Sequence, residues 1–352
     1  MDAVTDGICA QTGRLLLQFH ITGRCNLRCR HCYRTEGDVE PLSTEAVTDI
    51  IDQFAELVRQ YNAIHGIRKR GHINITGGEP FFRRDILQIL EKLGSLGDTL
   101  SYGVLTNGSL LEEPHILALK ETGASFVQLS IDGDRATHDA LRAPGDWDRT
   151  MAMARRLEKS GIRTYISFTA NRENFRQLPL VAAHCRKNRI TKLWTDRLVP
   201  IGSGEQLRSL AIGPEELPEY LAVLRKAQGT ALTRLLWPRT QVTANRALQF
   251  LGAEGEVYSC SAGKTLITVD EFGQIMPCRR MPIVCGKLPE DGLAEIYFRH
   301  PTFRALREPG EPRACRSCDH RPKCRGGARC QAYAATGRFT APDPACPHTL
   351  KD

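Results

Sequence analysis

The 352-residue sequence has no apolar run long enough to span a bilayer, which takes about 18 residues or more. That excludes a transmembrane helix. Met1–Arg14 holds two acids and no apolar stretch, so the N-terminus reads as neither a secretory signal nor a transit peptide. The compartment these absences lead us to expect is the cytoplasm, where disulfides are rare. A long basic block is also missing. The formal charge of +8 comes mostly from scattered arginine, which gives little support to a nucleic-acid partner. Aromatics are sparse at 7%, yet a hydrophobic fraction of 41% suffices for a soluble core. The length allows two domains, or one barrel and an appendage.

Cysteine, by contrast, is abundant and unevenly placed. Of 13 cysteines, Cys25, Cys29 and Cys32 form one group. Cys260, Cys278, Cys315, Cys318, Cys324, Cys330 and Cys346 form a second, and Cys9, Cys185 and Cys285 remain. Clustered cysteines in a reducing compartment usually bind metal. Cys9 and Cys185 are expected to be incidental or buried.

Between these groups the pattern alternates. Strands are expected at Leu15–Thr22, His72–Thr76, Leu100–Thr106, Ser125–Ile131, Arg163–Ala170 and Thr191–Val199. Helices are expected at Ser43–Gln60, capped by Ser43, at Asp85–Leu93, ended by Gly94, and near Glu113–Glu121, Trp147–Lys159 and Asn174–Lys187. Six strands alternating with helices, without hairpins, predict an α/β fold with a parallel sheet and right-handed crossovers. In such folds the carboxyl ends of the strands carry the site. A doubly wound open sheet fits the same pattern. Pro214–Gln228 and Thr240–Leu251 read as helices that close the sheet's open side. "KTLITVDEFGQIMPC" reads as a β-hairpin turning at Glu271–Gly273 and delivering Cys278. From Tyr258 onward regular periodicity fades, and this segment is expected to need metal to hold it. The expected divisions are 1–14 as an extension, 15–200 as the first domain, 201–255 as a helical linker and 256–352 as a cysteine-rich domain.

"GRCNLRCRHCYR" places Cys25-x3-Cys29-x2-Cys32 directly after the first strand. A structural zinc site is normally closed by four ligands, whereas an iron–sulfur cluster held by three thiolates leaves one iron open. His31 as a fourth zinc ligand would be badly constrained by its neighbour Cys32. "TGGEPFFRRD" follows the second strand. Its glycines let backbone carbonyls approach a ligand closely, and its carboxylate suits an ammonium partner. The plainer reading is a glycine turn ahead of a helix.

The three-cysteine loop after strand one resembles the radical S-adenosylmethionine (radical SAM) enzymes. That resemblance implies a partial (β/α)6 TIM-like barrel. It implies a [4Fe–4S] cluster on Cys25, Cys29 and Cys32 whose open iron chelates SAM. SAM is then cleaved to methionine and a 5′-deoxyadenosyl radical that takes a hydrogen atom from substrate. On the same resemblance Gly77, Gly78, Glu79 and Pro80 are the GGEP motif at the SAM amino group. Thr106 and Asn107 line the site, Ser130 and Asp132 face the ribose, and Arg142 pairs with the SAM carboxylate. Ala143 and Pro144 stand where relatives often have glycine. Asn171 is a further candidate, the backbone of His31 would face adenine, and Tyr33 is expected beside the cluster. Locally, Asn-Gly and Asp-Gly are also simply good turns.

The second cysteine region resembles the SPASM extension of these enzymes, which carries auxiliary [4Fe–4S] clusters. By order along that motif, Cys315, Cys318, Cys324 and Cys346 hold an outer cluster and Cys260, Cys278 and Cys330 an inner one. The cofactors implied are SAM and three clusters. The spacing Cys324-x5-Cys330 is longer than the usual one, and Val257–Ser259 offer no further cysteine. The inner cluster then has an open iron or takes Cys285. Alternatively Cys285 is the thiol that returns a hydrogen atom to a substrate radical. A pair of zinc sites is the competing reading of the CxxC spacing.

SPASM relatives mostly modify ribosomally made peptides, by crosslinking, thioether formation, epimerisation or oxidation. The positive charge suits an acidic leader peptide. About 14 residues precede the first strand, so leader binding is expected from the barrel, the cysteine-rich region or a separate protein. An electron donor such as flavodoxin or ferredoxin is implied, with no nucleic-acid or membrane partner. "CRGGARCQAYAATGRFTAPDPAC" also resembles the tail of enzymes that trim haem side chains. That makes an acidic tetrapyrrole the alternative substrate, with Arg197, Arg279 and Arg280 as propionate clamps. A non-catalytic metal-binding scaffold is the third reading.

Overall fold

Side chains along the first strands alternate between apolar and polar, and that alternation decides which face of the sheet meets the helices. The computed structural model describes residues 13–34, 42–244, 248, 251, 260–308, 312 and 315–348. Six strands, β1 (Leu16–His20), β2 (Gly71–Thr76), β3 (Leu100–Leu105), β4 (Val127–Ser130), β5 (Thr164–Ala170) and β6 (Lys192–Arg197), pair in parallel in chain order. Leu17, Phe19, Ile73, Ile75, Tyr102, Val104, Val127, Leu129, Ile166 and Phe168 are buried under the connecting helices. Gln18, Asn74, Ser101, Gln128, Ser130 and Ser167 alternate with them and stay half-buried on the opposite face.

α1 (Thr44–His65) begins where Ser43 Oγ accepts from the Ala46 N–H at 3.2 Å, and it ends at Gly66, whose φ of 60° is left-handed. α2 (Ile86–Ser95) runs through Gly94, against the expectation that Gly94 ends it. A Cβ on Gly94 would lie 2.9 Å from Thr122 Cβ, so this glycine serves a close packing contact instead. α3 (Glu113–Glu121), α5 (Asp146–Lys159) and α6 (Leu178–Lys187) fall where the periodicity places them. α4 (Arg135–Leu141) is additional, capped by Asp134 through the Thr137 N–H at 2.8 Å.

α7 (Leu217–Gln228) and α8 (Ala231–Leu236) follow β6. The expected helix at Thr240–Leu251 is not formed at its start. Gln241–Thr243 is β7, a seventh parallel strand beside β6, and its β-branched Val242 and Thr243 favour that state. Most of the remainder of that stretch, the proposed boundary near 255 and Cys9 lie outside the described residues. The expected hairpin forms: β8 (Leu266–Val269) and β9 (Gln274–Met276) pair antiparallel across a turn holding Gly273 at φ 79°. β8 also pairs in parallel with β1, and β10 (Gly286–Lys287) pairs with β9. One sheet therefore runs β10-β9-β8-β1-β2-β3-β4-β5-β6-β7, with the two end strands unpaired to each other. The cysteine-rich region carries more helix than its sequence suggested: α9 (Leu293–Arg299), α10 (Pro301–Arg307), α11 (Arg321–Cys324) and α12 (Arg329–Thr336). Leu293, Tyr297 and Phe303 are buried in the same core as the strands.

At the N-terminal ends of the strands the inner face is filled. Phe126 stacks on His72 at 5.5 Å and on Tyr165 at 4.3 Å. Gly103 makes room, because a Cβ there would sit 2.5 Å from the Phe126 ring. Among the described residues no helix is long and apolar enough to cross a membrane.

Candidate functional site

Beyond β1 the chain runs without helix or strand through Ile21–Arg34 and presents Cys25, Cys29 and Cys32, all half-buried. The Cys32 N–H donates to the Cys29 carbonyl at 3.1 Å, and the Leu27 N–H lies 3.5 Å from Cys25 Sγ. Burial pushes the Cys29 thiol up to about 11; Arg142 opposes this, while Cys32 and Cys25 add to it. The three thiols thus share one electrostatic environment. Among the described residues no three His, Cys, Asp or Glu side chains converge as a single-ion site would require.

Gly77 and Gly78 pack closely against the cysteine loop. A Cβ on Gly77 would lie 2.4 Å from the Thr22 carbonyl oxygen, and one on Gly78 2.1 Å from that of Arg24. Two backbone bonds of 2.8 Å, Gly78 N–H to Thr22 O and Glu79 N–H to Arg24 O, hold the loops together. Pro80 opens a 3₁₀ turn over Pro80–Phe82. The Glu79 carboxylate is fully buried and accepts from the Phe81 N–H (3.1 Å), Thr106 Oγ1 (2.6 Å) and the Asn107 N–H (2.8 Å). Burial raises its pKa to about 7, with those donors pulling the other way. Asn107 Nδ2 donates to Asn26 Oδ1 at 2.9 Å, which ties the end of β3 to the cysteine loop.

Asp132, after β4, is fully buried. Burial alone would raise its pKa; Arg142, His31, His138 and the Thr169 N–H outweigh it and hold the carboxyl at about 2. Arg142 Nε donates to Asp132 Oδ2 at 2.7 Å, and its Nη1 lies 3.8 Å from Cys29 Sγ. His31 Nε2 lies 3.3 Å from Asp132 Oδ2, and burial lowers the ring to about 4, so it stays neutral. Ser130 Oγ meets Ser167 Oγ at 3.2 Å. Asn171 has a local task, its Oδ1 accepting from the Glu173 and Asn174 N–H groups. Tyr33 packs edge-on against His20 at 5.8 Å. His20 is fully buried, and among the described residues neither ring nitrogen has a hydrogen-bond partner, a feature with no motif to announce it.

Two further contacts escaped sequence reasoning. Gly202 and Gly204, after β6, lie against the cysteine loop. A Cβ on Gly202 would be 2.4 Å from the Tyr33 carbonyl carbon, and the Gly204 N–H donates to Cys32 O at 2.9 Å. A G-x-G after the last strand was the available signal. Arg34 Nε donates to Glu271 Oε1 at 3.1 Å, and Arg279 Nη2 reaches the same oxygen at 3.2 Å. This pairing joins the cysteine loop to the β8–β9 turn and to the residue after Cys278.

The outer group converges. Cys315, Cys318, Cys324 and Cys346 line one cavity of about 360 Å³ together with Asp343, His320 and His348. Cys330, despite its longer spacing, is brought to Cys278 and Cys260. Burial pushes its thiol up to about 12; Arg280 opposes, and Cys278 and Cys260 reinforce. Cys260 and Cys278 also pack on one small apolar cluster with Ala262, Met281 and Leu306. Cys285 is placed elsewhere, in the main core, with Sγ 3.4 Å from the Ile283 carbonyl and Thr302 as a hydrogen-bond partner. Cys185 is buried in the same core.

The arginines suggested as propionate clamps are already paired. Arg197 makes a bidentate pair with Asp343 at 3.0 and 2.6 Å. Arg279 pairs with Asp270 and Glu271, and Arg280 with Asp196. None of the three is unpaired, and Arg197 is buried.

The chain matches the Radical SAM superfamily over residues 19–182 and the SPASM iron–sulfur cluster-binding domain over residues 250–319. It is 28% identical over 350 residues to the AdoMet-dependent heme synthase of Oleidesulfovibrio alaskensis, covering 94% of this chain and 86% of that protein. It is 28% identical over 346 residues to the mycofactocin maturase MftC of Mycolicibacterium smegmatis, covering 94% and 82%. The fold is similar to that of Streptococcus suis SuiB bound to S-adenosylmethionine, with a TM-score of 0.72 at 18% identity over 95% of this chain and 77% of that one. Parallel sheet, strand-end cysteine loop and distal cysteine groups together define an enzyme class that uses SAM and iron–sulfur clusters. The chain belongs to the radical SAM superfamily and carries a SPASM domain.

The donor sets fit these groups. The first loop offers three thiols around a basic, half-buried centre, as an iron–sulfur cluster with an open position asks. The distal cavity offers four thiols for a closed one.

Proposed function

We propose that this radical SAM enzyme modifies a ribosomally made peptide. When bound, SAM and its cluster supply a 5′-deoxyadenosyl radical. Cys25, Cys29 and Cys32 hold that cluster, and Glu79, Thr106 and Asn107 frame the amino-group side of the SAM site. Ser130, Asp132 and Arg142 close its other side. Cys315, Cys318, Cys324 and Cys346 hold a second cluster and Cys260, Cys278 and Cys330 a third, with Cys285 outside both. Residues 15–200 form the radical-generating domain, 201–255 a linker and 256–352 the auxiliary-cluster domain. A flavodoxin or ferredoxin in the cytoplasm supplies the electron, and a separate protein can present the leader.

The observation that carries the peptide reading is the pairing of Arg197, Arg279 and Arg280 with buried or half-buried carboxylates. An acidic tetrapyrrole would need such arginines for its propionates, and to use these it would have to break existing pairs. The half-buried polar face of Gln18, Asn74, Gln128, Ser130 and Ser167 suits a peptide better than an apolar macrocycle. The tetrapyrrole reading rests on the similarity to the heme synthase.

The test is anaerobic reconstitution with SAM and dithionite, followed by mass spectrometry of a short peptide encoded beside this gene. In parallel, an iron tetrapyrrole bearing propionates is offered. A mass change in the peptide with stoichiometric 5′-deoxyadenosine supports the proposal. Decarboxylation of the tetrapyrrole with an untouched peptide overturns it.

A further inference from the structure

Buried arginines in this chain are generally matched to an acid. Arg34 meets Glu271, Arg83 meets Asp85, Arg142 meets Asp132, and Arg197 meets Asp343. A buried cation without a counter-charge is costly, so such matching is expected. Arg307 lacks a carboxylate among the described residues, but its guanidinium lies over the Tyr297 ring at 4.0 Å.

Arg329 has neither kind of partner among the described residues. It is 4% exposed, at the start of α12. Among the described residues its guanidinium donates only to backbone carbonyls, those of Phe339 at 3.1 Å and Arg325 at 2.7 Å. It lines a cavity of about 260 Å³ together with Cys260, Cys324, Lys264 and Arg325, and no acid among the described residues lines it. Cys260 belongs to the inner cysteine group and Cys324 to the outer.

We infer that Arg329 is a shared counter-charge of the two auxiliary iron–sulfur clusters, a positioning residue that raises the reduction potential of both. This rests on the reading of two auxiliary clusters. Clusters ligated by thiolates are anionic and become more so on reduction. A fixed cation in a buried crevice between them therefore favours the reduced state of each.

The test uses the full chain, anaerobically reconstituted, with EPR-monitored redox titration. Wild-type iron content comes first: about 12 per chain agrees with three cubane clusters, and about four sinks the auxiliary-cluster reading itself before any variant is made. In Arg329→Met, both auxiliary midpoint potentials should move negative while the SAM cluster stays put. Arg329→Lys should recover most of the shift. Arg329→Met with full iron and unmoved auxiliary potentials, or with only one of them moved, overturns the inference. If Arg329→Met fails to hold auxiliary iron while Arg329→Lys holds it, the charge is what matters and the inference stands. If both variants fail alike, the residue acts by shape and the inference falls.

Discussion

Replacing Asp343 by alanine tests how the cysteine-rich region is locked to the sheet. The Asp343 carboxylate takes both Nη groups of Arg197, at the end of β6, at 3.0 and 2.6 Å. It also accepts the Ala328 and Ala345 N–H groups, each at 3.0 Å. Removing it leaves a fully buried guanidinium without an acid and two buried amides without an acceptor. Breaking one side of a buried ion pair costs about 3–5 kcal/mol. Arg197→Met should cost less, since Asp343 keeps its two amide donors. The double variant should be less damaged than the sum of the singles, with a coupling of about 1–3 kcal/mol. Anaerobic urea unfolding of the reconstituted chain, with iron retention as the second readout, measures all three. Additivity within about 0.5 kcal/mol would show that the pair is not the lock.

Further outcomes follow from the same geometry. Glu79, whose pKa burial raises from 4.5 to about 7, keeps its proton in the folded chain where the unfolded chain has lost it. Stability should therefore fall as pH rises from about 4.5 to 7, by about 3 kcal/mol at the upper end. Urea titrations of Glu79→Gln should lack that slope, and a wild-type slope in the variant would refute the assignment. Asp132, held at about 2, contributes stability that is present above pH 4 and fades as pH falls toward 2. Gly78→Ala, with its Cβ 2.1 Å from the Arg24 carbonyl oxygen, should lose iron from the first loop. Gly123→Ala, left-handed but open, should cost about 1 kcal/mol and keep it; equal iron in both would contradict the packing argument. Cys29→Ala should abolish SAM cleavage, whereas Cys318→Ala should retain some cleavage and lose product and stability. Wild-type 5′-deoxyadenosine yield from Cys29→Ala, or wild-type product yield from Cys318→Ala, would reject that residue's role.

Much of the sheet is legible in the sequence because its signals are local. Ser43 caps α1 as a short-range hydrogen bond, and the alternation in "RTYISFTA" places β5 at Thr164–Ala170. The errors share a cause as well. Gly94 has the residue type of a helix stop, but the neighbour that needs its missing side chain, Thr122, is 28 positions away. Gln241–Thr243 sits within a helix-like pattern and becomes a strand because the edge of β6 offers it hydrogen bonds. Tertiary context overrides a weak propensity in both cases.

The candidate site divides in the same way. Cysteine spacing after β1 and the glycine pair after β2 are readable because a cluster loop and a close backbone approach constrain consecutive residues. By themselves the residues determined the strand-end cysteine loop, the hairpin that delivers Cys278 and the family to which the chain belongs. Only the tertiary structure decided that the hairpin adds to β1, that Arg34 pairs with Glu271, that Cys285 sits in the main core, and that Arg329 lines a cavity with a cysteine of each distal group. Those contacts join residues far apart in the chain. They are set by which buried charge can find a partner once the sheet has formed, and no local pattern encodes that choice.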